Sequence, residues 1–165
     1  MFAFIAFITL AFGIVVVGEA LAGEKHKLSA VYYTTKWEPM NVPGEEGHVI
    51  CLWEAKGITR NKEGKPFGEG LAIHSVGHLD MNTKAGICSG YFYEEFTDRD
   101  GDKFYNKSAG TMKTGKLGPY WEGTMTFTRG TGKYEGIRGE APWKNYPVGL
   151  DQSYADWEVN VELPR

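Results

Sequence analysis

The strongest constraint on this chain is a period of two. From Ser153 to Leu163, the side chains of Ala155, Trp157, Val159, Val161 and Leu163 alternate with those of Tyr154, Asp156, Glu158, Asn160 and Glu162. Successive side chains of an extended chain point to opposite faces, so this spacing predicts a strand with one buried and one wet face. The same pattern returns where Trp121, Met125 and Phe127 are interleaved with Tyr120, Glu122, Thr124, Thr126 and Thr128. Six further strands are expected near Lys27–Trp37, Gly47–Lys56, Gly68–Leu79, Gly86–Phe96, Lys103–Met112 and Tyr134–Trp143. Between them lie turn-forming stretches such as Asn61–Gly64, Asp80–Gly86, Asp98–Asp102, Thr114–Pro119 and Gly130–Gly132. No amphipathic helix longer than two turns is predicted after Gly23. About eight antiparallel strands in roughly 140 residues suit a closed barrel or a sandwich, and closure removes the exposed edges that so much sheet would otherwise present.

Composition agrees with one such core. The chain has 165 residues, 22 of them glycine, with 14% aromatic and 24% charged side chains. That is a single domain's worth of sequence and is too aromatic for a disordered one. A formal net charge of -3 gives no reason to expect nucleic acid or an anionic membrane surface as a partner.

The amino terminus reads differently. Residues Met1–Gly18 carry no charge, and Ala20 and Ala22 supply the small-x-small pattern that a signal peptidase accepts. Residues 1–22 are therefore expected to be a hydrophobic helix serving as a signal peptide, with cleavage before Gly23, or as an uncleaved membrane anchor through residues 1–18. Residues 23–165 are the expected β domain. On either reading that domain is secreted or periplasmic, or is held at a membrane outside the cytoplasm. In such a compartment Cys51 and Cys88 are candidates for a single disulfide; two separate buried thiols fit the same residues.

The glycine-rich run Arg129-Gly-Thr-Gly-Lys-Tyr-Glu-Gly-Ile-Arg-Gly-Glu140 is the most distinctive segment. A phosphate-binding loop needs a helix amino terminus facing the anion, but Tyr134, Ile137 and Trp143 read as strand. A hairpin is expected instead, with Gly130 and Gly132 at positive φ in the turn and Gly136 and Gly139 allowing a sharp strand bend. This run resembles the GGTGxFxGxxG hairpin of the allene oxide cyclase barrel superfamily, which includes plant allene oxide cyclases, dirigent proteins and a branch of secreted bacterial proteins. Gly86-Ile-Cys-Ser-Gly90 followed by Asp98-Arg-Asp-Gly-Asp102 is similar to the bacterial members. The likeness spans Gly86 to Trp143 and implies an all-β fold, a single antiparallel eight-stranded barrel. It implies no cofactor, and it makes a homo-oligomer an expectation because the dirigent proteins and plant cyclases form trimers. Arg129 departs from the plant pattern, and no set of plant catalytic residues carries over.

Individual residues narrow the chemistry. Asp98, Asp100 and Asp102 around Gly101 suggest a calcium loop, yet the sixth and twelfth positions counted from Asp98 are Lys103 and Ala109, not the glycine and glutamate such a loop requires. An Asp-Gly turn between strands is the preferred reading. His74 and His78 would stand about 13 Å apart on one strand face, too far to share a metal without a bulge, so no metal is expected. They are kept as polar ligand contacts, with His48, Glu54 and Asp80 as further polar groups for a barrel mouth. Trp37, Trp53, Trp121 and Trp157, with Trp143, can line a pocket for a small hydrophobic or aromatic molecule or fill the interior outright. Three functions follow: an exported barrel binding such a molecule, an isomerase or cyclase using the same pocket, and a non-catalytic subunit of a membrane complex. The first is preferred.

Overall fold

The computed structural model describes residues 23–149 and 151–163. The expected amino-terminal helix, residues 1–22, lies outside the described residues. Eight strands follow in order: β1 (Glu24–Asn41), β2 (His48–Asn61), β3 (Ala72–Asn82), β4 (Ile87–Thr97), β5 (Lys103–Gly115), β6 (Gly118–Gly130), β7 (Arg138–Pro147) and β8 (Gln152–Glu162). Each pairs antiparallel with its sequence neighbours, and β8 returns to β1, giving one closed up-and-down barrel. The period-two strands are therefore present, and closure rather than a sandwich is what they form.

Four hairpins, β1–β2, β3–β4, β5–β6 and β7–β8, stand at one end of the barrel. The longer β2–β3 loop, the Asp98–Asp102 turn and the β6–β7 connection stand at the other. The β2–β3 loop takes residues that the sequence assigns to a strand starting at Gly68, because Gly68 and Gly70 adopt positive φ and delay β3 until Ala72. Asn61 holds this loop in shape: its carboxamide oxygen accepts from the backbone N–H groups of Glu63 and Lys65, and its Nδ2 donates to the Phe67 carbonyl at 2.7 Å. Phe67 is thereby laid over the barrel end, 4.7 Å from the His26 ring and 5.9 Å from Phe104.

The β6–β7 connection covers the same end. Gly132–Tyr134 form a 3-10 turn, so Tyr134 is not a strand residue as the sequence suggests; Tyr134 and Ile137 are both buried in the core. Gly132, Gly136 and Gly139 have positive φ, as a turn and bend require, but Gly130 does not. Its need for glycine is steric, since a Cβ there would lie 2.0 Å from the Tyr134 carbonyl oxygen.

The two glycine- and aspartate-rich motifs prove to be one structure. Asp98 accepts from the backbone N–H of Asp100 and Asp102, with Gly101 at φ 89° completing the turn. Lys133 then reaches across from the β6–β7 turn to Asp98 at 2.6 Å and Asp100 at 3.1 Å. Burial opposes the charge on Asp98, but the Lys133 ammonium and the turn N–H groups outweigh it and hold the carboxyl below its ordinary range. The aspartates thus fasten the closed end, as the turn reading expects.

Cys51 and Cys88 are free thiols. Cys51 pairs with Leu79 and Cys88 with Met81, so β3 lies between them. Two strand spacings are about 10 Å, beyond the span a disulfide closes. The expected bridge is absent for that reason.

Candidate functional site

Closure of the barrel turns one residue of every pair inward. Below the midline the interior is solid: Phe96, Phe104, Phe127, Val159 and Val161 pack with Tyr134 and Ile137. Phe96 and Phe104 stack with centroids 4.7 Å apart, and Phe127 meets Phe104 edge-on at 5.4 Å. Above it the interior is hollow. A cavity of about 230 Å³ opens towards the hairpin end, with walls that include Trp53, Phe92, Trp121, Trp143 and Trp157 and a rim that includes Trp37, Met81, Pro147 and Gln152.

Four of the candidate ligand contacts named from sequence therefore meet here: Trp37, Trp53, Trp121 and Trp157 all line the cavity. Trp37 arrives by an irregularity. Leu28, Ala30 and Tyr32 put the even positions of β1 inside, which would turn Trp37 out, but the register of β1 on β2 shifts between Thr34 and Lys36. This bulge adds one residue and restores Trp37 to the inner face, opposite Trp53. Trp143 owes its position to small neighbours, since a Cβ on either Gly110 or Gly123 would come within 2.8 Å of its indole ring.

His74 and His78 are not part of the site. On β3 the buried residues Ile73, Ser75 and Leu79 take the inner face, so both histidines project from the outer wall. His74 is half exposed and bonds Glu54 at 3.0 Å, while His78 stacks on Tyr91 at 5.2 Å. His48 bridges Glu45 and Asp80 beside the mouth, at 2.6 and 2.7 Å. Its pKa is raised, by the hydrogen bond to Glu45 first and that to Asp80 second. These polar groups satisfy one another outside the lumen.

The residue that sequence reading missed is Glu94. It lies inside β4 between Phe92 and Phe96, only 8% exposed, on the floor of the cavity. The Tyr32 hydroxyl donates to its Oε1 at 2.9 Å and Asn106 Nδ2 to its Oε2 at 2.9 Å. Burial pushes its pKa up, against the pull of the hydrogen bonds from Asn106 and Tyr32. Tyr32 is pushed well up too, by burial first and then by the Glu94 charge. Two further polar atoms of the cavity wall, Ser75 Oγ and Trp143 Nε1, are buried without a hydrogen-bond partner. The sequence does carry a signal for Glu94: it shares parity with two phenylalanines that must face the core.

No protein-family model matches the chain, and no curated protein matches it in sequence. Among solved structures, it is similar to a pterocarpan synthase dirigent protein, with a TM-score of 0.52 and 11% sequence identity over 97% of this chain and 100% of that one. The likeness shows the fold alone, an eight-stranded antiparallel barrel.

Proposed function

We propose that this barrel takes one small, largely apolar molecule into the upper half of its lumen through the hairpin end. The observation that carries the reading is the half-empty interior: aromatic side chains line a space of about 230 Å³ instead of closing it. A cavity of about 150 Å³ holds a benzene ring, so this one suits a single ring with a short substituent. Unpartnered Ser75 Oγ and Trp143 Nε1 offer hydrogen bonds that would orient it. Export belongs to the same proposal and rests on the uncharged residues 1–18 with Ala20 and Ala22.

Calorimetric titration with 2-phenylethanol tests the binding reading. Saturable binding is expected, and Ser108→Phe, which directs a ring into the cavity from β5, should abolish it while the barrel still folds. Absence of saturable binding, or equal binding by the filled variant, overturns the proposal. A mass beginning at Gly23 in protein isolated from its host supports export with cleavage; retention of residues 1–22 supports an anchor.

One observation favours an enzymatic second reading. Glu94 and Tyr32 are a hydrogen-bonded acid pair at the cavity floor, the type of group that moves a proton in an isomerisation. The solved structure of similar fold bears the name of a synthase. Turnover lost in Glu94→Gln, with ligand affinity retained, would establish it; binding without any conversion of the bound molecule would leave the barrel a carrier.

A further inference from the structure

Resting on the reading of the lumen as a ligand site, we propose that its ligand is a small organic cation, an ammonium group on an aromatic or alkyl body, with the nitrogen held against Glu94. Three observations converge on this. First, Glu94 is the single charged residue among those lining the cavity, where no Lys, Arg or His side chain occurs among the described residues. An ionised carboxylate inside an apolar lumen is costly unless a counter-charge faces it, and the described chain supplies none there. Its two oxygens accept from neutral donors only, Tyr32 and Asn106.

Second, the walls suit a cation. Phe92 meets Trp53, Trp121 and Trp143 at interplanar angles of 80°, 87° and 83°. Rings set at right angles form the sides of a box, and the negative faces of indole and phenyl rings attract a desolvated ammonium. A neutral apolar ligand makes no use of a buried acid, and an anionic one would be repelled by it.

Third, the groups around Glu94 supply no competing charge. Tyr32 from β1 and Asn106 from β5 bond it, and Ser75 from β3, Ser108 from β5, Met125 from β6 and Trp157 from β8 line the same cavity. Of these only Tyr32 is titratable, and its pKa lies well above 10. Burial raises the Glu94 pKa and a bound ammonium favours the ionised carboxylate, so the affinity for the cation should rise as pH climbs through that raised value.

The test compares three probes of one shape on the full chain at pH 8: phenethylammonium, 2-phenylethanol and phenylacetate. The ammonium should bind about tenfold more tightly than the alcohol, phenylacetate should not bind, and the ammonium-to-alcohol ratio should fall when the titration is repeated at lower pH. Glu94→Gln should bring the ammonium-to-alcohol ratio close to one. Alcohol bound as tightly as the ammonium by the native protein overturns the cation proposal while leaving the lumen a ligand site. Failure of all three probes to bind overturns both. Selectivity and its pH dependence are read on the native protein, so they decide between these outcomes even where Glu94→Gln does not fold.

Discussion

The two ends of this barrel are built from the same eight strands and differ in what their connections do. At the closed end the β2–β3 loop and the β6–β7 turn fold inward, and Phe67, Tyr134 and Ile137 complete a packed core around Phe104. At the open end tight hairpins stop at the rim, and the β1 bulge turns Trp37 in without filling the space. Stability should therefore reside in the closed end and recognition in the open one. Truncating a residue at each end separates the two. Phe104, 1% exposed, contacts four aromatic rings besides its aliphatic neighbours. Phe104→Ala should cost about 3–5 kcal/mol of unfolding free energy, measured by denaturant titration, with ligand affinity retained wherever the protein remains folded. Trp121→Ala at the open end should cost no more than about 1–2 kcal/mol yet weaken 2-phenylethanol binding several-fold. Equal stability losses would show that the upper half is packed too.

Glu94 sits at the boundary between the halves, and its stability effect has a definite sign. Its folded pKa is raised by burial, so the native state holds the proton more tightly than the unfolded chain. Below the unfolded value, about 4.3, the carboxyl is protonated in both states and contributes no pH dependence. As pH climbs through the raised folded value, ionisation favours unfolding, and the penalty is complete above it. Glu94→Gln should thus raise the melting temperature of the ligand-free protein more at pH 8 than at pH 4. Asp98 acts in the opposite sense. Its carboxyl is held low, so its contribution is present above about 3.9 and disappears as pH falls through the folded value. Asp98→Ala should lower stability by about 1–3 kcal/mol at pH 7, through two lost turn hydrogen bonds, and by less at pH 2.

Much of the closed barrel was legible because alternation in β6 and β8 is clean, and because Trp53, Trp121, Trp143 and Trp157 fall on the inward parity. The site was legible only in part. On β3 both parities are mixed, Ile73, Ser75 and Leu79 against His74, Val76 and His78, so periodicity alone does not decide which histidines face in; pairing with β2 and β4 decides it. The Thr34–Lys36 bulge carries no glycine or proline to announce it, and without it Trp37 would point outward. Tyr134 and Ile137 have strand-like side chains, but positive φ at Gly132 and Gly136 converts their segment into a plug. Glu94 was readable in principle, yet an acidic residue inside a strand ordinarily marks the wet face.

The smallest expected effect concerns the thiols, and it bears on how the mouth is held. Cys51 and Cys88 both belong to the upper half, on β2 and β4, with β3 between them. A bond between them would draw those strands together across β3, narrow the cavity and close a long loop, which ordinarily stabilises by about 2–4 kcal/mol. With the thiols free, adding reductant should shift neither the melting temperature nor the affinity for 2-phenylethanol, and alkylation after unfolding without reductant should label both cysteines. A reductant-sensitive melting temperature would mean that the rim is fastened covalently and that its width, unlike the packing of the closed end, depends on redox conditions.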